Sequence, residues 1–168
     1  MAKFGNIRML PAQTPAIDAT PDYSQFDSLF TTPLEWSLNN VAGGQGVIQS
    51  VIVTDKANQK PTLTLLFFKA APSGGTYTKN GGLVLSVADR ANLCGKIEIA
   101  STDWTSLSGE AVATAYGPLP VQGYPTVGAT TPAALAAEFK FYMLACVGAA
   151  YNAGAVDDLT FALGMLCD

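Results

Sequence analysis

From Leu34 onward, short apolar runs alternate with clusters of Gly, Pro and Asn, the spacing expected of a chain built from β-strands. Residues 43–46 (Gly-Gly-Gln-Gly) turn the chain into a β-branched run over 47–54 that is apolar in both phases of a two-residue period. Such a run predicts a strand with most of both faces buried. Residues 55–61 form a polar turn and residues 62–68 an apolar return, which together predict a hairpin. Breaks at 71–75 and 80–82 come next. After them Ser86 offers an N-cap, Asp89 stands three residues later, and Val87, Ala91 and Leu93 supply an apolar side, with Gly95 as a stop. This predicts one short helix, expected to plug one end of the sheets.

Residues 96–99 and 110–116 predict strands on either side of a loop bearing Trp104, and the Gly/Pro/Thr-rich stretch 117–132 reads as a long loop. The final two strands are the clearest. Phe139, Phe141, Met143, Ala145 and Val147 alternate along one, and Leu159, Phe161, Leu163 and Met165 along the other. A period of two turns each set toward one inner face. The last strand runs almost to Asp168, so that end of the chain should be tied into a sheet. The fold class is therefore all-β: an antiparallel, jelly-roll-like β-sandwich with one short helix.

The first 32 residues follow another pattern. Pro11, Pro15 and Pro21 are spaced among small and polar residues, and no hydrophobic period persists. This reads as an extended N-terminal arm over 1–32, ahead of a sandwich domain over 33–168. Phe4, Ile7, Met9, Leu10, Tyr23, Phe26, Leu29 and Phe30 make the arm more apolar than a solvated tail needs. They are its candidate partner contacts, since a segment without its own period gains by ordering on another surface. The sandwich core is expected to begin near Leu34 and to fold without the arm.

Composition narrows the function. Hydrophobic residues make up 49% of the chain and charged residues 13%, about half the usual share of charge in a soluble domain. So little charge implies that part of the surface is covered by other subunits. The net charge is −4 and the arginines are Arg8 and Arg90, so no basic stripe exists for nucleic acid. Residues 141–156 are the most apolar stretch but fall short of the ~20 residues a membrane span needs. Neither nucleic acid nor membrane is an expected partner. The opening Met1 to Asn6 leads into no apolar segment of signal-peptide length, so synthesis in a cytoplasm is expected. Cys94, Cys146 and Cys167 are too few and too scattered for a disulfide framework or a metal site.

The chain has no histidine, which removes the usual general base and the commonest metal ligand. Glu35, Glu98, Glu110 and Glu138 are the candidates for a carboxylate pair, yet all stand in or beside predicted strands as ordinary solvent-facing acids. Asp157-Asp158 lacks a second acid cluster for calcium. The Gly-rich stretches 43–46 and 73–75 lead into no phosphate-binding context. No enzyme activity, catalytic residue, metal or cofactor is expected. Trp36, Trp104, Tyr77, Tyr116, Tyr124 and Tyr151 leave a sugar-stacking platform open, against packing as the commoner fate of such rings.

Residues 46–55 (GVIQSVIVTD), 63–68 (LTLLFF), the loop 72–80, residues 85–89 and 93–95, and the closing 158–168 together resemble a group of small virion structural proteins of tailed phages. The resemblance covers residues 46–168. It implies a capsid decoration, or cement, protein: a β-sandwich on the outside of an icosahedral head, bound to the major capsid protein and to its own copies. A homotrimer is expected, because threefold positions on a shell favour it. The alternative is a carbohydrate- or receptor-binding β module of a phage tail or surface protein.

Overall fold

A computed structural model describes residues 6–20, 22–38, 45–122 and 140–167. The strands in chain order are β1 (Asn6–Met9), β2 (Leu34–Ser37), β3 (Gln45–Asp55), β4 (Leu63–Phe68), β5 (Leu93–Ile99), β6 (Trp104–Leu107), β7 (Glu110–Gln122), β8 (Lys140–Val147) and β9 (Leu159–Cys167). One helix, α1 (Val87–Ala91), precedes β5. A five-stranded sheet in the order β1-β9-β3-β7-β6 packs on a four-stranded sheet in the order β2-β8-β4-β5, and every pairing is antiparallel.

The pairing is nested. β1 pairs with β9, β2 with β8, β3 with β7 and β4 with β5, as in one long antiparallel ribbon. Rolling that ribbon brings β9 beside β3 and β8 beside β4, which separates it into two sheets. This is jelly-roll topology, with β6 added at one edge by a tight turn in which Gly109 takes a φ of 95°, a conformation side chains rarely adopt.

Alternation fills the core. Phe141, Met143, Ala145 and Val147 face Leu159, Phe161, Leu163 and Met165 across the sheets, and all are fully buried. Trp36 stacks on Phe141 with ring centroids 5.8 Å apart and donates from Nε1 to the Pro11 carbonyl at 3.0 Å. Trp104 is buried at the start of β6 and donates to the Pro61 carbonyl at 3.0 Å. Both indoles thus bury their apolar bodies without leaving the N–H unpaired.

Three sequence expectations change. The runs 47–54 and 62–68 are not a hairpin: β3 and β4 lie in different sheets. The turn between them carries the chain across. The buried Asp55 carboxylate accepts from the backbone N–H of Ala57 (3.0 Å) and Lys60 (2.7 Å), while Asn58 and Lys60 both take a φ of 55°. Second, the stretch 117–132 begins as strand, because β7 continues to Gln122 through Gly117, Pro118 and Pro120. An irregularity in register opposite Ile48 and Ser50 accommodates it, and the prolines lie beyond the part of β7 that β6 pairs. Residues 123–132 lie outside the described residues.

Third, α1 forms with the expected Ser86 and Asp89 capping box, but it plugs nothing with apolar groups. Val87 is 78% exposed, Ala91 and Leu93 are also exposed, and the one buried residue of the helix is Asp89. A helix of barely one turn cannot sustain an apolar stripe. Gly95 is not its stop, either. It lies within β5, where a Cβ would meet Leu119 Cδ1 at 2.5 Å.

The segment before β2 is extended and runs along its own sandwich. β1 adds to the edge of β9, and the chain continues beside it through Leu10 N–H to Leu163 O (2.9 Å) and a bridge from Gln13 to Phe161. Further on, Tyr23 pairs with Tyr151, and residues 26 to 29 hydrogen-bond to Ala145 and Val147, on the same edge of β8 that β2 pairs. Leu10, Ile17, Tyr23, Leu29 and Phe30 belong to the same core cluster as the strands. The Tyr23 hydroxyl accepts from Asp18 N–H (2.7 Å) and donates to the Leu29 carbonyl (3.2 Å), locking this loop on itself.

Tyr151 stacks beside Tyr23 with centroids 6.0 Å apart, but its buried hydroxyl has no hydrogen-bond partner among the described residues. Burial, with the carboxylates of Asp55 and Asp158 nearby, pushes its ionisation well above the ordinary tyrosine value. Since an unsatisfied buried hydroxyl costs about 1–3 kcal/mol, Tyr151→Phe is expected to hold or raise stability. Thermal melts of both proteins check it; a fall in Tm of more than about 5 °C, roughly 1–2 kcal/mol for a chain of this size, would show that the hydroxyl is satisfied.

Candidate functional site

Among the described residues, the acids singled out in the sequence do not converge. Glu35 on β2 pairs with Lys140 (2.8 Å) and Glu98 on β5 with Lys96 (2.6 Å), both on the outer side of the four-stranded sheet. Glu110 is exposed at the β6–β7 turn, and Glu138 lies outside the described residues. Asp157 faces solvent and pairs with Lys56 (2.5 Å), whose ammonium holds its carboxyl below the ordinary value. Its neighbour Asp158 turns inward and accepts from Ala155 N–H (2.7 Å). The two carboxylates thus point apart. Among the described residues no group of three or more His, Cys, Asp or Glu side chains is placed to hold a metal ion. No helix there is long and apolar enough to cross a membrane.

The Gly-rich loop at 73–75 does cradle an anion, and the anion is the chain's own. Asp89 Oδ1 accepts from the N–H of Ser73 (3.0 Å) and Gly74 (3.3 Å), while Oδ2 accepts from Tyr77 Oη (2.5 Å), Ser86 N–H (2.9 Å) and Ser86 Oγ (2.6 Å). Burial opposes this charge, but the donors from Ser86, Tyr77 and Ser73 outweigh it and hold the carboxyl far below its ordinary value. This is an internal tie that fixes the loop between β4 and α1. Of the other Gly-rich stretch, residues 43 and 44 lie outside the described residues and Gln45 and Gly46 begin β3.

Among the described residues the candidate aromatics give no platform. Trp36, Trp104, Tyr77 and Tyr151 are buried, Tyr116 is 81% exposed, and Tyr124 lies outside the described residues. Two open clefts of about 500 and 410 Å³ flank β2 and share Gln13 and Glu35. Of their charged linings, Glu35 is engaged with Lys140 and Lys79 with Asp18 (3.0 Å), while Arg8 stands in the smaller cleft.

The expected contact residues of the arm divide. Leu10, Tyr23, Leu29 and Phe30 are taken into this chain's own core, because residues 6–13 lie along β9, Tyr23 pairs with Tyr151 and residues 26–29 lie along β8. They present no surface to a partner. Ile7, Met9 and Phe26 are exposed, at 72%, 52% and 60%, and Phe4 lies outside the described residues.

Ile7 and Met9 belong to a larger surface, the outer face of the five-stranded sheet. Paired residues share a face, so the register lays it out in rows. Ile7, Leu166, Val47 and Pro120 form the first row, and Met9, Gly164, Ser50 and Tyr116 the second. Ala162, Ile52 and Thr114 form the third, and Thr160, Thr54 and Val112 the fourth. None of these residues carries a charge. The charged groups stand at one end, in Glu110 and the Lys56–Asp157 pair. By contrast, the outer face of the four-stranded sheet carries Glu35, Lys140, Lys96 and Glu98. Sequence reading missed this site, although it held the signal: the run 47–54 is apolar in both phases. Ile48, Val51 and Val53 are buried inward, while Val47 and Ile52 stand half-covered on the outside.

Compared with known proteins, the chain matches no protein-family model and no curated relative.

Proposed function

We propose that this chain is a non-enzymatic structural protein of a phage virion, made in the host cytoplasm and carried on the outside of the capsid. There it stabilises the shell through contacts with the major capsid protein and with its own copies. The supporting observation is the uncharged outer face of the five-stranded sheet, on a jelly roll whose described candidate acids are dispersed and whose clefts are open. A surface of that kind suits protein–protein contact better than capture of a small ligand. Viral shell proteins and lectins both use this topology, so the fold alone does not choose between them. The sugar-binding reading is the weaker, because Trp36, Trp104, Tyr77 and Tyr151 are spent in packing.

The test uses heads of the phage that encodes the chain, purified from particles assembled without it. The chain added at micromolar concentration is expected to sediment with these heads to saturation and to raise the temperature at which they rupture. Recovery of all the chain in the supernatant would overturn the proposal.

A further inference from the structure

We infer that the outer face of the five-stranded sheet is covered by the same face of a second copy of this chain, across a twofold axis. This rests on the assembly reading above and adds the partner. Charge is the first support. The whole chain is net negative, so two copies repel wherever their acids meet. The rows from Ile7–Pro120 to Thr160–Val112 hold no charge, and the face can therefore meet its own image without a like-charge contact.

Area is the second. Three strands over eight residues and β1 over four, at about 4.8 Å spacing and about 3.3 Å per residue, give a footprint of about 440 Å² on each copy. Two such faces remove on the order of 1,000 Å², the size at which a specific interface begins. The third is β3 itself. Its sequence is that of a strand buried on both sides, yet among the described residues cover is supplied on one side only. A trimer is the poorer fit, because a closed ring needs two different complementary patches on each subunit, whereas a single self-complementary face closes as a pair.

Light scattering on the full chain at micromolar concentration is expected to return about 35 kDa, twice the 17.5 kDa of one copy. Ile52→Lys, at the centre of the face, should convert it to a monomer; Thr114→Lys, beside it on β7, guards against a folding defect at Ile52. Thr64→Lys, on the outer face of the four-stranded sheet, should leave the pair intact. Folded monomers from Ile52→Lys or Thr114→Lys, with Thr64→Lys still paired, support the inference. A monomeric wild-type chain at about 100 μM, or an oligomer that both face variants leave unchanged, overturns it. Head binding is a separate readout: a pair that never binds heads sinks the capsid proposal and leaves the twofold face standing.

Discussion

Deletion of residues 1–32 is expected to leave no cooperatively folded protein. The deletion removes Leu10, Ile17, Tyr23, Leu29 and Phe30, each buried in the common core, and strips β1 from the edge of β9. Burial of one large apolar side chain is worth about 1.5–3 kcal/mol, so their joint loss is on the order of 10 kcal/mol. A domain of this kind has about 5–15 kcal/mol in total. Circular dichroism melts and amide dispersion in NMR spectra check the outcome. A graded version keeps the chain whole: Ile17→Ala and Leu29→Ala should each cost about 2–5 kcal/mol and still give a sharp transition. If the truncated chain melted cooperatively within a few degrees of the full one, the segment would not belong to the core.

Asp89→Asn is expected to lower stability by about 2–4 kcal/mol, a fall in Tm of roughly 5–15 °C. Both carboxylate oxygens accept from backbone N–H groups, Ser73 and Gly74 on one and Ser86 on the other. An amide turned either way therefore sets its NH₂ against at least one N–H donor. The hydroxyls of Tyr77 and Ser86 can rotate to accept, but the backbone cannot. The pH dependence carries a sign. Because the folded carboxyl lies below its ordinary value, its contribution is fully present above the ordinary aspartate range and is lost as pH falls toward the depressed value. The gap in Tm between wild type and Asp89→Asn should thus narrow from about pH 5 to about pH 2. A gap unchanged over that range would mean that the charge does not hold the loop.

Asp89 also illustrates what local sequence can reveal. Ser86 and Asp89 predict the helix start by spacing alone, since a capping box is made of groups three residues apart. The role of Asp89 as the anchor of residues 73–77 was not legible, because its donors lie up to 16 residues away and Gly-rich loops read alike whatever anion they hold. The hairpin expected from 47–68 failed for a related reason. Alternation tells which side of a strand is apolar, and is blind to whether the next strand lies beside it or across the core.

By itself the sequence determined the strand-rich class, the inward positions of β8 and β9 and the capped helix start. All three depend on periods of two and on contacts a few residues long. Tertiary structure alone decided the nested pairing of β1 with β9 and β2 with β8, the burial of Leu10, Tyr23, Leu29 and Phe30, and the joining of Ile7, Val47, Ile52 and Tyr116 on one uncharged face. Those outcomes bring together residues more than 100 positions apart, and no local pattern encodes which distant strand will take the place beside another.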